Sequence, residues 1–96
     1  MSPLELSAHM TVRPGCLEGF KKQAAELIRI TREKDTHTLR YDWFLSLDGT
    51  QCEVREAYTG PEGPIEHNTH VAGARPVARQ AVGRRRMLLD HDGLKA

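Results

Sequence analysis

Thr38-Leu39-Arg40-Tyr41-Asp42-Trp43-Phe44-Leu45-Ser46-Leu47-Asp48-Gly49-Thr50-Gln51-Cys52-Glu53-Val54-Arg55-Glu56-Ala57-Tyr58 reads as two alternating runs joined by a turn. Successive strand side chains point to opposite faces, so Leu39, Tyr41, Trp43, Leu45 and Leu47 share one face, with Phe44 on the other. Asp48-Gly49 is a strong turn signal, and the pattern resumes from Gln51, which predicts an antiparallel hairpin. In its second strand Cys52, Val54, Glu56 and Tyr58 share one face, and Glu53, Arg55 and Ala57 the other. Glu56 therefore falls on the more apolar side. An ionised carboxylate there is costly without a partner, so the position demands an explanation.

On the N-terminal side, Leu4, Leu6, Ala8, Met10 and Val12 alternate with polar residues and predict a half-buried strand. Arg13-Pro14-Gly15 ends it, since proline withholds a donor and glycine accepts turn geometry. Leu17, Phe20, Ala24, Leu27, Ile28 and Thr31 then recur at helical spacing, opposite Glu18, Lys21, Lys22, Glu26, Arg29 and Arg32. The segment from Lys34 to Thr38 reads as a connection. On the C-terminal side, Gly60-Pro61-Glu62-Gly63-Pro64 is a loop, and a helix carrying His67 and His70 is expected from Pro64 or Ile65. Gly73 and Pro76 argue against one long helix; Val77 to Val82 suits a second short one, and Arg84 to Leu89 a last strand. The order strand, helix, strand, strand, helical region, strand predicts a ferredoxin-like split βαβ fold of class α+β, with a four-stranded antiparallel sheet and one domain over residues 1–96.

A chain of 96 residues leaves much apolar surface incompletely buried, so self-association is expected. Helices covering one sheet face leave the other open, and Phe44 there points to a second subunit as its cover. With 14 Lys plus Arg against 13 Asp plus Glu, the net charge of +1 gives no general attraction to nucleic acid or an anionic membrane. No run approaches the length of a membrane span, and the first residues lack the layout of a secretory signal, so a cytoplasmic location is the expectation. Cys16 and Cys52 match no zinc or redox spacing and read as buried small hydrophobes.

Two readings of Glu56 stand side by side. It reaches Arg29 or Arg32, or accepts from backbone donors, and fixes helix on sheet; or it orients His67, or a ligand group, from the floor of a pocket. An imidazole can take up and release a proton, so His67 suits proton relay at a pocket edge. His67 and His70 lack a third ligand at suitable spacing, so no metal site is expected. Tyr41, Trp43 and Tyr58 lie on Glu56's face, as ordinary core or as the lining for a flat aromatic molecule. Arg84-Arg85-Arg86 reads as a solvated patch or a phosphate grip, without the interleaved aromatics of single-strand binding. There is no Gly-rich phosphate loop and no nucleophile elbow.

Taken together, Val12-Arg13-Pro14-Gly15 before an amphipathic helix, Thr38 to Trp43, Asp48-Gly49, Glu56-Ala57-Tyr58 and His67 resemble the antibiotic biosynthesis monooxygenase domain, over roughly Leu4 to Val71. The resemblance implies a homodimeric α+β barrel. It also implies a cofactor-independent monooxygenase that oxidises a quinol or aromatic phenol with molecular oxygen, or a non-catalytic binding protein of the same fold. Glu56 and His67 match the family's recurrent Glu and His. Haem-degrading members carry tryptophan where this chain has Tyr58. Beyond Val71 the pattern departs from the family's longer second helix and clearer last strand.

Overall fold

A computed structural model describes residues 3–74 with their side chains, and the backbone of residues 82–91. Along the chain it runs β1 (Leu4–Val12), α1 (Leu17–Lys34), β2 (Thr38–Leu45), β3 (Gln51–Tyr58), α2 (Glu62–Val71) and β4 (Val82–His91). The sheet order is β2-β3-β1-β4, all neighbours antiparallel. The short helix expected from Val77 to Val82 lies outside the described residues, apart from Val82, which begins β4.

Register settles which side chains share the helix-covered face. Glu56 stands between Leu6 on β1 and Tyr41 on β2, and Val54 between Ala8 and Trp43. The expected parity of β3 holds: Cys52, Val54, Glu56 and Tyr58 are buried. One core cluster joins Ala8, Met10, Val12, Phe20, Cys52 and Val54; a second joins Leu27, Ile30 and Val71. Trp43 packs against both. The buried stripe of α1 is Phe20, Leu27, Ile30 and Thr31, so Ile30 takes a place the spacing gave to Ile28.

β2 departs most from its sequence pattern. It is an edge strand whose register shifts between Thr38 and Arg40, and it stops at Leu45. Leu39 and Leu45 are exposed, and Leu47 projects into solvent from the turn. In that turn Gly49 has a positive φ of 73°, and Asp48 Oδ1 accepts from Ser46 Oγ, Thr50 Oγ1 and the Thr50 amide. Cys52 is buried as expected, whereas Cys16 is only half-buried because it precedes α1 at the surface end of the turn.

α2 begins two residues before the expected start, at Glu62, and the reason lies at Gly63. A Cβ at Gly63 would stand 2.5 Å from Tyr58 Cβ and 2.7 Å from Tyr58 Cδ1. Only glycine lets the first turn of α2 come this close to β3. That approach carries His67, one turn further along, onto the sheet beside Tyr58.

Candidate functional site

Asp35 is the C-cap of α1, where a carboxylate faces the negative end of the helix dipole. It is held there by three donors from outside the helix. Thr38 Oγ1 donates to Oδ2 at 2.6 Å, His67 Nδ1 lies 2.9 Å from the same oxygen, and His70 Nδ1 lies 2.6 Å from Oδ1. The Asp35 side chain is 1% exposed and that of His67 2%. Burial alone would push the Asp35 carboxyl up, but the hydrogen bonds from His70, Thr38 and His67 outweigh it and hold it below its ordinary value.

An ionised carboxylate can only accept, so it fixes both tautomers: His67 and His70 each carry a proton on Nδ1. Thr31 Oγ1 donates to the Leu27 carbonyl at 2.8 Å and lies 3.3 Å from His67 Nδ1, as a second acceptor for that proton. His67 Nε2 is left buried with no hydrogen-bond partner among the described residues. In the neutral imidazole that nitrogen carries the lone pair. Around it stand aromatic rings: Tyr41 at 4.8 Å between centroids and Tyr58 at 5.9 Å. Trp43 stacks edge-on to Tyr41, and its Nε1 is also buried and unpartnered among the described residues.

Glu56 and His67, paired in the sequence reading, have different partners. Tyr58 donates its hydroxyl to Glu56 Oε1. Burial, then the Glu56 carboxylate beside it, pushes the Tyr58 phenol far above its ordinary range, so it stays a neutral donor. Of the two alternative partners, Arg29 is committed to Glu26 and Glu33, and no ion pair joins Arg32 to Glu56 among the described residues. Glu56 is linked to His67 through its neighbours: Tyr58, which donates to it, and Tyr41, its cross-strand partner on β2, both pack their rings against the imidazole. Tyr41, Trp43 and Tyr58 share one sheet face, as parity predicted; Tyr41 and Tyr58 pack on His67, and Trp43 packs on Tyr41 and Phe20.

Sequence reasoning missed Asp35. One signal was present: an acid directly after the basic last turn of α1, at the helix end where acids are disfavoured. Its acceptors' partners, thirty-odd residues away on α2, had no local signature. Although Asp35, His67 and His70 converge, both imidazoles spend Nδ1 on the carboxylate. Among the described residues no group of three or more His, Cys, Asp or Glu is placed to hold a metal ion.

Beside this cluster a groove of about 420 Å³ opens between the end of α1 and β2. Thr31, Asp35, Thr38 and Tyr41 form its inner side, with Ile28, Arg32, Leu39, Arg40 and Asp42 around them. Tyr41 thus lines the groove and also packs on His67. No helix among the described residues is long and apolar enough to cross a membrane.

No protein-family model matches the chain, and no curated protein matches it. Solved structures do. Rv0793 from Mycobacterium tuberculosis is similar at 23% identity and a TM-score of 0.81, over 93% of each chain. Two proteins named as putative antibiotic biosynthesis monooxygenases are also similar. The one from Nitrosomonas europaea shares 17% identity at a TM-score of 0.84, over 95% of this chain and 90% of that one. The one from Caulobacter crescentus CB15 shares 16% at a TM-score of 0.86, again over 95% and 90%. At these identities the likeness establishes the fold: the chain has the ferredoxin-like α+β architecture of antibiotic biosynthesis monooxygenase domains.

Proposed function

We propose that the protein is a cofactor-independent monooxygenase that oxidises an aromatic phenol or quinol, seated in the groove beside Tyr41. The observation that carries this reading is His67, fastened through Nδ1 to Asp35, with aromatic rings packed on its imidazole and an Nε2 that has no hydrogen-bond partner among the described residues. A histidine held this way is a general base with one assigned nitrogen. His67 is not itself on the groove wall, so the substrate reaches Nε2 by displacing the Tyr41 ring that packs on the imidazole. Nε2 then accepts the phenolic proton, and the Asp35 carboxylate stabilises the imidazolium that results. The electron-rich phenolate is then the reductant of oxygen. One oxygen atom becomes the new carbonyl at a ring carbon that loses its hydrogen; the other leaves as water, formed with that hydrogen and the phenolic proton that Nε2 held.

Glu56 acts in this scheme by holding Tyr58 against His67, and Trp43 Nε1 is a donor for a substrate oxygen. The working unit is a homodimer, in which a second copy covers Phe44 on the open sheet face, and it acts in the cytoplasm. Oxygen uptake with a panel of quinols and naphthols tests the proposal, comparing the wild type with His67→Gln. Uptake by the wild type and a loss of at least a hundredfold in the variant is the expected result, the usual scale for a general base. Equal rates remove His67 from the mechanism.

One observation favours a second reading. Asp35 and His67 are almost wholly enclosed, as in a structural tie between α1 and α2. A non-catalytic small-molecule-binding protein of this fold would bind the same aromatic panel without consuming oxygen.

A further inference from the structure

We infer that the groove takes an aromatic ligand bearing a carboxylate, and that Arg32 is the residue that binds this acidic group. The inference rests on the groove being the ligand's seat, and it names the class of ligand that seat selects.

Charge pairing along α1 and β2 singles out Arg32. Arg29, on the outer side of the helix, is engaged by Glu26 and Glu33. Arg40, across the groove, donates Nε to Asp42 Oδ2 at 2.6 Å, so those two groove charges offset each other. Arg32 has a carboxylate three residues on, the spacing at which helical ion pairs form, but Asp35 does not serve it. As the C-cap, Asp35 leaves the helix with an extended ψ of 138° and turns its carboxylate inward. Both of its oxygens are spent on His67, His70 and Thr38. Arg32 is therefore the cation on the groove wall with no carboxylate partner among the described residues.

The surroundings suit a flat acid rather than a bare anion. Ile28 and Leu39 offer apolar contact beside the guanidinium, and Tyr41 offers an aromatic face deeper in. A guanidinium grips a carboxylate through two parallel N–H donors, which fixes orientation as well as adding affinity. With its acid held by Arg32, an aromatic ligand lies along Tyr41, the lining residue that packs on His67. The volume of about 420 Å³ accommodates two or three fused rings.

The test uses the full chain and two probes that differ only in charge: a hydroxynaphthoate and the matching hydroxynaphthamide. Binding is followed by probe fluorescence in the wild type, Arg32→Gln, Arg32→Lys and the control Arg29→Gln. The wild type and Arg29→Gln should prefer the acid by about fivefold to tenfold, the scale of a partly exposed ion pair. Arg32→Gln should abolish the preference, Arg32→Lys should retain part of it, and raised salt should narrow it. Equal affinity for the two probes, a preference that survives Arg32→Gln, or no binding of either probe overturns the inference. An Arg32-dependent preference without oxygen uptake upholds it and overturns the oxygenase reading instead.

Discussion

Asp35 Oδ2 lies 2.9 Å from His67 Nδ1 while Asp35 Oδ1 lies 2.6 Å from His70 Nδ1, so one buried carboxylate ties the end of α1 to two successive turns of α2. Removing either member of the inner pair strands the other in a place water does not reach. Breaking a buried pair in this way costs about 3–5 kcal/mol, against roughly 0–1 kcal/mol for an exposed one. Asp35→Asn should fall toward the larger figure, tempered because the amide still offers one oxygen. Urea unfolding of Asp35→Asn, His67→Gln and the double variant would give a coupling of about 0.5–3 kcal/mol. Additive losses would mean that the two side chains do not act as a unit.

The same contact sets the acid limb of the stability curve. The folded Asp35 carboxyl titrates below its ordinary value of 3.8, because its three donors outweigh burial. Its contribution is therefore complete above that ordinary value and is lost as pH falls through it toward the lower folded one. Glu66, held at about 2 by Thr36 and His37, adds a second loss in the same window. The wild type should lose stability steeply below about pH 4, and Asp35→Asn less steeply, in thermal melts across that range. Parallel slopes would show that Asp35 titrates normally.

Much of this architecture is legible in the chain because parity is a local property. The faces of β3 follow from alternation alone, and the alternation of β1 carries over into its observed register. Even the Glu56–Tyr58 hydrogen bond was within reach, since residues two apart on a strand share a face. The exposure of Leu39 and Leu45 was not, because edge position and the register shift after Thr38 depend on strand order. Nor was Asp35, whose meaning depends on where α2 lands. That landing is set by Gly63, a residue that reads in sequence as loop composition.

Gly63 offers a direct check on how α2 is seated. Replacing it with alanine places a methyl group 2.5 Å from Tyr58 Cβ, a distance real atoms do not tolerate, and β3 cannot yield because it is paired on both sides. Overpacking of this kind costs about 1–3 kcal/mol, more than the gain in helix propensity of about 1 kcal/mol. Gly63→Ala should therefore destabilise the fold in denaturant titration. A stabilised variant would place α2 further from the sheet than described.

Tyr58 joins this packing to chemistry, because its hydroxyl is the described hydrogen-bond partner of the buried Glu56 carboxyl. Tyr58→Phe keeps the ring against His67 and removes only the donor. A buried acceptor left unsatisfied costs about 1–3 kcal/mol, more if charged. Tyr58→Phe should lose that amount, and Glu56→Leu in the same background should recover part of it by removing the stranded polar group. If Glu56 serves only to hold Tyr58, the recovered double variant should also retain whatever oxygen uptake Tyr58→Phe retains. A further collapse of uptake on adding Glu56→Leu, with stability restored, would instead give the carboxylate a direct part beside His67.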